Sequence, residues 1–92
     1  MDMLQLLLNR HNNQAVLSVE EVGAEYWRYA PAHARKLAMR QRFPIPAFRT
    51  SASRKAPMLV RITDLAEHLE ACANRARSAY RQTARGPGGQ TR

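Results

Sequence analysis

Nine cations stand between Arg28 and Arg61 with no carboxylate among them: Arg28, Arg35, Lys36, Arg40, Arg42, Arg49, Arg54, Lys55 and Arg61. A solvated surface intersperses the two signs, because unbroken like charge repels itself. The thirty-six residues from Arg28 to Thr63 therefore point to a polyanionic partner. Thirteen of the fifteen bases are Arg, whose planar fork matches a phosphate or the edge of a guanine. The flanks differ: residues 1–27 hold four acids and one base, and residues 64–92 hold three acids and five bases, within a net charge of +8.

Other chemistry finds little support. His68 and Cys72 lie four apart and could share a metal, but two ligands do not close a site, and no Cys-x-x-Cys or His-x-x-x-His occurs. A Cys–His nucleophile would also need an orienting residue and an oxyanion site, and neither is evident. Gly86 to Gly89 have no strand before or helix after them, so they are not a phosphate loop. The chain therefore reads as no enzyme, with no metal and no cofactor.

The elements that position the cations can be traced from the start of the chain. Met3 to Arg10 reads as a short helix, and Gln14 to Leu17 as a brief strand after Asn12-Asn13 turn chemistry. Ser18-Val19-Glu20-Glu21 is a capping box, and the helix that it opens presents Val19, Val22 and Tyr26 on one face. Gly23 inside that helix implies the close approach of another. Pro31 suits the first position of a second helix, about Pro31 to Arg42, with Ala34, Leu37 and Ala38 inward and Arg35, Lys36 and Arg40 away from them.

Two helices joined by a short turn, the second basic, give the pattern of a helix-turn-helix. Phe43 to Arg49 contains two prolines and reads as an extended edge strand, Thr50 to Pro57 as a polar loop, and Met58 to Ile62 as a returning strand. Thr63 as N-cap and Asp64 in the first turn then open a long helix. The predicted fold is α+β, mainly helical: a winged helix-turn-helix with a two-stranded β-hairpin wing and a long C-terminal helix.

Ninety-two residues with 45% hydrophobic composition suffice for one small domain, here 1–84, with a flexible tail over 85–92. No apolar run approaches the roughly 20 residues that span a bilayer. Met-Asp-Met-Leu lacks the basic start of a signal peptide, and one cysteine forms no internal disulfide. A cytoplasmic location follows as the expectation.

Several blocks resemble a known family. Leu6-Leu7-Leu8, Gln14-Ala15-Val16-Leu17, Val22 and Tyr26 are similar to the N-terminal half of the pyocin activator (PrtN) family. Ile45-Pro46-Ala47-Phe48-Arg49, then Ser53-Arg54-Lys55-Ala56-Pro57, then Leu59-Val60-Arg61-Ile62-x-Asp64-Leu65-Ala66 resemble its signature, though Gln is common in the family where this chain has Arg54. The resemblance spans roughly Leu6 to Leu69 and is weakest over Arg28 to Arg42. It implies a small DNA-binding activator of phage-tail-like bacteriocin or prophage genes, related in outline to excisionase-like winged helices.

On this reading double-stranded DNA is the partner. Arg35, Lys36 and Arg40 are the candidates for base edges. Arg49, Ser51, Ser53, Arg54 and Lys55 carry the wing to phosphates or the minor groove, and Arg28 and Arg42 hold backbone. The long last helix is a candidate homodimer element, and the acidic Glu20, Glu21 and Glu25 are a candidate contact for RNA polymerase. An excisionase-type architectural protein that bends DNA and a basic RNA-binding protein remain as alternatives.

Overall fold

The computed structural model describes residues 2–85. The Asp2 carboxylate accepts from the Gln5 amide at 2.8 Å and so caps α1, Met3–Arg10. Two asparagines stop it: Asn12 and Asn13 take φ of 58° and 61°, and the Asn13 amide returns to the Leu8 carbonyl at 2.7 Å. Asn tolerates the left-handed region better than most residues. The strand that follows, β1, is Val16–Ser18.

Ser18 then ends the strand and starts a helix. Its Oγ accepts from the Glu21 amide at 3.1 Å, as the capping box predicts, and α2 begins at Val19–Val22. The helix widens into a π-helical turn over Gly23–Trp27 and stops at Arg28, φ 60°, where the Arg28 and Tyr29 amides both donate to the Gly23 carbonyl. Pro31 opens α3, Pro31–Met39, at its first turn. A Cβ on Gly23 would lie 3.0 Å from the Cβ of Ala34. The glycine is thus what lets α3 pack directly on α2, with Val19, Val22, Ala34 and Ala38 fully buried between them.

Three expectations need correction. The second helix ends three residues early, because Gln41 turns left-handed (φ 57°) and the Gln41 and Arg42 amides close back on the Ala38 and Leu37 carbonyls at 3.1 and 2.8 Å. Phe43, held ahead of Pro44, is disfavoured in the helical region, so the chain has to leave the helix here. Phe43 to Arg49 is not a strand. Pro44 and Pro46 supply no amide donors, and a single bridge forms, Phe48 with Leu59, through two bonds of 2.8 Å. The last helix starts at Ile62 rather than after a Thr63 cap, and the buried Thr63 Oγ1 has no partner among the described residues.

The main partner of the returning strand β2, Leu59–Arg61, is therefore β1, from before the helical hairpin. The pair is antiparallel, with Val16 opposite Arg61, Leu17 opposite Val60 and Ser18 opposite Leu59. Leu17 and Val60 turn inward, and the Ile62 amide donates to the Ala15 carbonyl at 2.9 Å. The α4 helix, Ile62–Arg85, leaves the strand without a loop, and α1 packs against it. Leu7, Phe43, Ile45, Met58, Ile62, Leu65 and Ala66 complete the core. The result is an α+β fold, mostly helical, with a two-stranded sheet. Of the tail expected over 85–92, residues 86–92 lie outside the described residues.

Candidate nucleic-acid interface

The inner side of α3 is set by its alanines, so the other side is free for charge. Ala34 and Ala38 are fully buried, whereas Ala32, Arg35, Lys36, Met39 and Arg40 line a shallow groove on the outside. A second groove, lined by Met39, Gln41, Ala47, Phe48, Arg49, Ser51 and Met58, leads from the end of α3 to the base of the 50–57 loop. Met39 belongs to both, and at 60% exposure it joins helix and loop into one surface. Sequence reasoning missed Met39. The signal was there: it lies four residues after Arg35 and three after Lys36, so a helix must place it between those cations.

The predicted cations are not equivalent in place. Lys36, Arg40 and Arg42 are exposed along and just beyond α3, and Arg54 and Lys55 are exposed at the loop tip. No side-chain partner engages these five among the described residues. Arg35 is engaged: its Nη1 lies 3.2 Å from Glu20 Oε2, tying α3 to the start of α2. Arg49 is half-buried at the loop base, and its Nε is buried with no acceptor among the described residues. Arg28 sits exposed in the left-handed turn before α3, at the opposite end of that helix from the loop. A nine-residue helix is about 13 Å long, so Arg28 and Arg42 bracket the surface rather than share a point on it.

The two serines shape the loop. Ser51 Oγ accepts from the Ser53 amide at 3.0 Å and Ser53 Oγ from the Lys55 amide at 3.1 Å, which folds the chain under Arg54 and Lys55. Each hydroxyl accepts one bond locally and can still donate outward.

Behind α3 lies an aromatic cluster. Trp27 meets Phe43 edge-on at 5.6 Å, stacks near Tyr29 at 6.3 Å and faces His68 at 5.5 Å, and Tyr29 meets His33 at 4.9 Å. Tyr26, Trp27 and Tyr29 are half-buried and pack on the core. His68 and Cys72 do come together, Nε2 and Sγ 3.6 Å apart, with Arg75 Nη2 3.4 Å from the sulfur. His11 is buried at 4% exposure; its Nε2 is 2.9 Å from the Tyr26 hydroxyl and its Nδ1 3.5 Å from Glu21 Oε2.

No helix among the described residues is long and apolar enough to cross a membrane. The chain matches no curated protein and no solved structure at significant similarity. A family model does match: the one described as pyocin activator protein PrtN aligns with residues 3–76, taking in every element from α1 to the middle of α4. The chain belongs to the pyocin activator protein PrtN family, a family of regulatory proteins.

Proposed function

We propose that the chain is a sequence-specific DNA-binding transcriptional regulator, an activator of bacteriocin or prophage genes. In this reading α2 and α3 are a helix-turn-helix and residues 43–61 are its wing. The observation that supports it most is the surface that runs from α3 through Met39 to the base of the 50–57 loop: Lys36 and Arg40 line it, Arg42, Arg54 and Lys55 are exposed in the segment that continues from it, and none of the five has a counter-charge among the described residues. A polyanion that covers this surface removes the self-repulsion and releases its own counterions.

The helix α3 enters the major groove with Lys36 and Arg40 toward base edges, and Met39 between them is suited to apolar contact with a thymine methyl. Arg35 reaches DNA on exchanging Glu20 for a phosphate or base. The loop brings Arg54, Lys55 and the hydroxyls of Ser51 and Ser53 to the backbone, with Arg49 at its base and Arg28 and Arg42 at the two ends of the surface. One short helix and one loop read few base pairs, so useful specificity comes from two copies on paired half-sites.

Selection of bound sequences from random duplex DNA tests this directly. Enrichment of a motif with two-fold symmetry is expected, and the affinity for it should fall with salt at a log–log slope of about −5 to −6. Failure to enrich any motif, or affinity indifferent to salt, overturns the reading.

A further inference from the structure

The α4 helix is longer than the core it closes. Ile62, Leu65 and Ala66 are buried, Leu69, Cys72 and Ala73 are half-buried, and every residue from Asn74 to Thr83 is exposed. A free stretch of about a dozen helical residues is marginal in water, so a protruding half-helix gains stability from whatever covers it. This half carries Tyr80, 74% exposed, together with Arg75, Arg77 and Arg81, whereas the packed half carries Asp64, Glu67 and Glu70. One helix thus runs from acid to base.

Spacings of three and four place Glu67, Glu70, Asn74, Arg77 and Arg81 on one face. Their contacts agree: Arg77 Nη2 lies 4.0 Å from Glu70 Oε1 and donates to Asn74 Oδ1. Such a face complements itself only when turned around. Laid antiparallel about a two-fold axis near Asn74, Glu67 meets the partner's Arg81 and Glu70 meets the partner's Arg77, whereas a parallel pair would set acid against acid. Beside the acidic end a groove opens between α1 and α4, floored by Met3, Leu4, Ala66 and Ala71 and rimmed by Asp2, Glu67 and Glu70. The register that matches the charges brings the partner's Tyr80 level with this groove. An apolar floor within an acidic rim suits an aromatic ring flanked by guanidinium groups.

We infer that the protein dimerises by antiparallel pairing of α4, each Tyr80 seated in the other copy's α1–α4 groove. This surface shares no residue with the proposed DNA interface, and the inference does not rest on DNA binding. Analytical ultracentrifugation of the full chain without DNA tests it, and wild type sediments as a dimer. The double variants Glu67→Arg/Glu70→Arg and Arg77→Glu/Arg81→Glu each dissociate at least about tenfold more readily, because like charges then face each other. Mixed in equal amounts they associate again, and the chain with all four substitutions recovers the homodimer. Tyr80→Ala weakens it about tenfold without loss of helical circular dichroism. A monomeric wild type, a dimer that survives both charge reversals, or folded double variants that do not combine would each overturn the inference.

Discussion

On α2 and the π-helical turn that continues it, every carboxylate meets a basic side chain of the same chain. Glu20 pairs with Arg35 at 3.2 Å, Glu21 stands 3.5 Å from His11 Nδ1, and Glu25 accepts from Arg10 Nε at 2.8 Å. Across the helical hairpin, Lys36, Arg40, Arg42, Arg54 and Lys55 meet no carboxylate among the described residues. Both faces are polar and solvated, yet their electrostatics differ in kind. Half-exposed ion pairs contribute up to about 1 kcal/mol each, and the two Arg–Glu pairs tie α1 and α3 to the helix between them. Unpaired like charges cost folding free energy and return it on neutralisation by an outside anion. The pairing of Glu20, Glu21 and Glu25 within the chain also gives these residues a structural part, which their sequence alone left open to a protein partner.

The largest effect should come from breaking the hairpin on which both faces depend. Gly23→Val would drive a side chain into Ala34, a methyl fixed to the α3 backbone that cannot swing aside. A loss of roughly 2–3 kcal/mol is expected in urea unfolding, with DNA binding lost alongside. An unchanged unfolding midpoint would show that α2 and α3 do not pack through Gly23.

Next in size, the unpaired face can be divided. Arg40→Ala should cost about 1–3 kcal/mol on a selected site and much less on random DNA, relaxing sequence preference. Lys55→Ala should weaken both DNAs alike and reduce the salt slope by about one. Equal losses on both DNAs for both variants would leave only a non-specific binder.

A smaller change moves one cation from the paired face to the unpaired one. Glu20→Gln leaves Arg35 without its counter-charge, so DNA binding should tighten, with the salt slope steeper by about one. The cost in stability should stay under about 1 kcal/mol, since Arg35 and Glu20 are half-exposed. Unchanged DNA affinity would place Arg35 outside the interface.

The smallest effect is in the pH dependence. Burial raises the Tyr26 phenol above its ordinary range, and the charge of Glu25 adds to this. Folding then favours the protonated ring. Its contribution is whole below the unfolded value of about 10 and is lost as pH climbs through the folded-state value. Tyr26→Phe should flatten that alkaline loss while also removing the contact to His11 Nε2. An alkaline limb identical in both proteins would assign it to other groups.

Much of the helical hairpin was legible because its determinants are local. Ser18 with Glu21, Gly23, Pro31 and the Ala34–Ala38 stripe act within one or two turns, and each does what its type predicts. Boundaries were less so. The end of α3 depends on a left-handed Gln41, a conformation that its residue type does not announce. The strand expected over Phe43 to Arg49 was misread because pairing is non-local: two prolines left Phe48 alone able to bridge Leu59, and β2 found its full partner in β1, some forty residues earlier in the chain.

The sequence by itself determined that the cations concentrate between Arg28 and Arg61, that a glycine inside the first helix of a pair admits the small-faced second, and that a long helix follows. Charge composition and helical period are properties of the chain that survive any arrangement. Only the tertiary structure decided which of those cations are available. The approach of α3 to α2 set Arg35 against Glu20, buried Arg49 Nε, and raised Met39 between helix and loop. Partners distant in sequence are chosen by packing, and packing is written in no single stretch of residues.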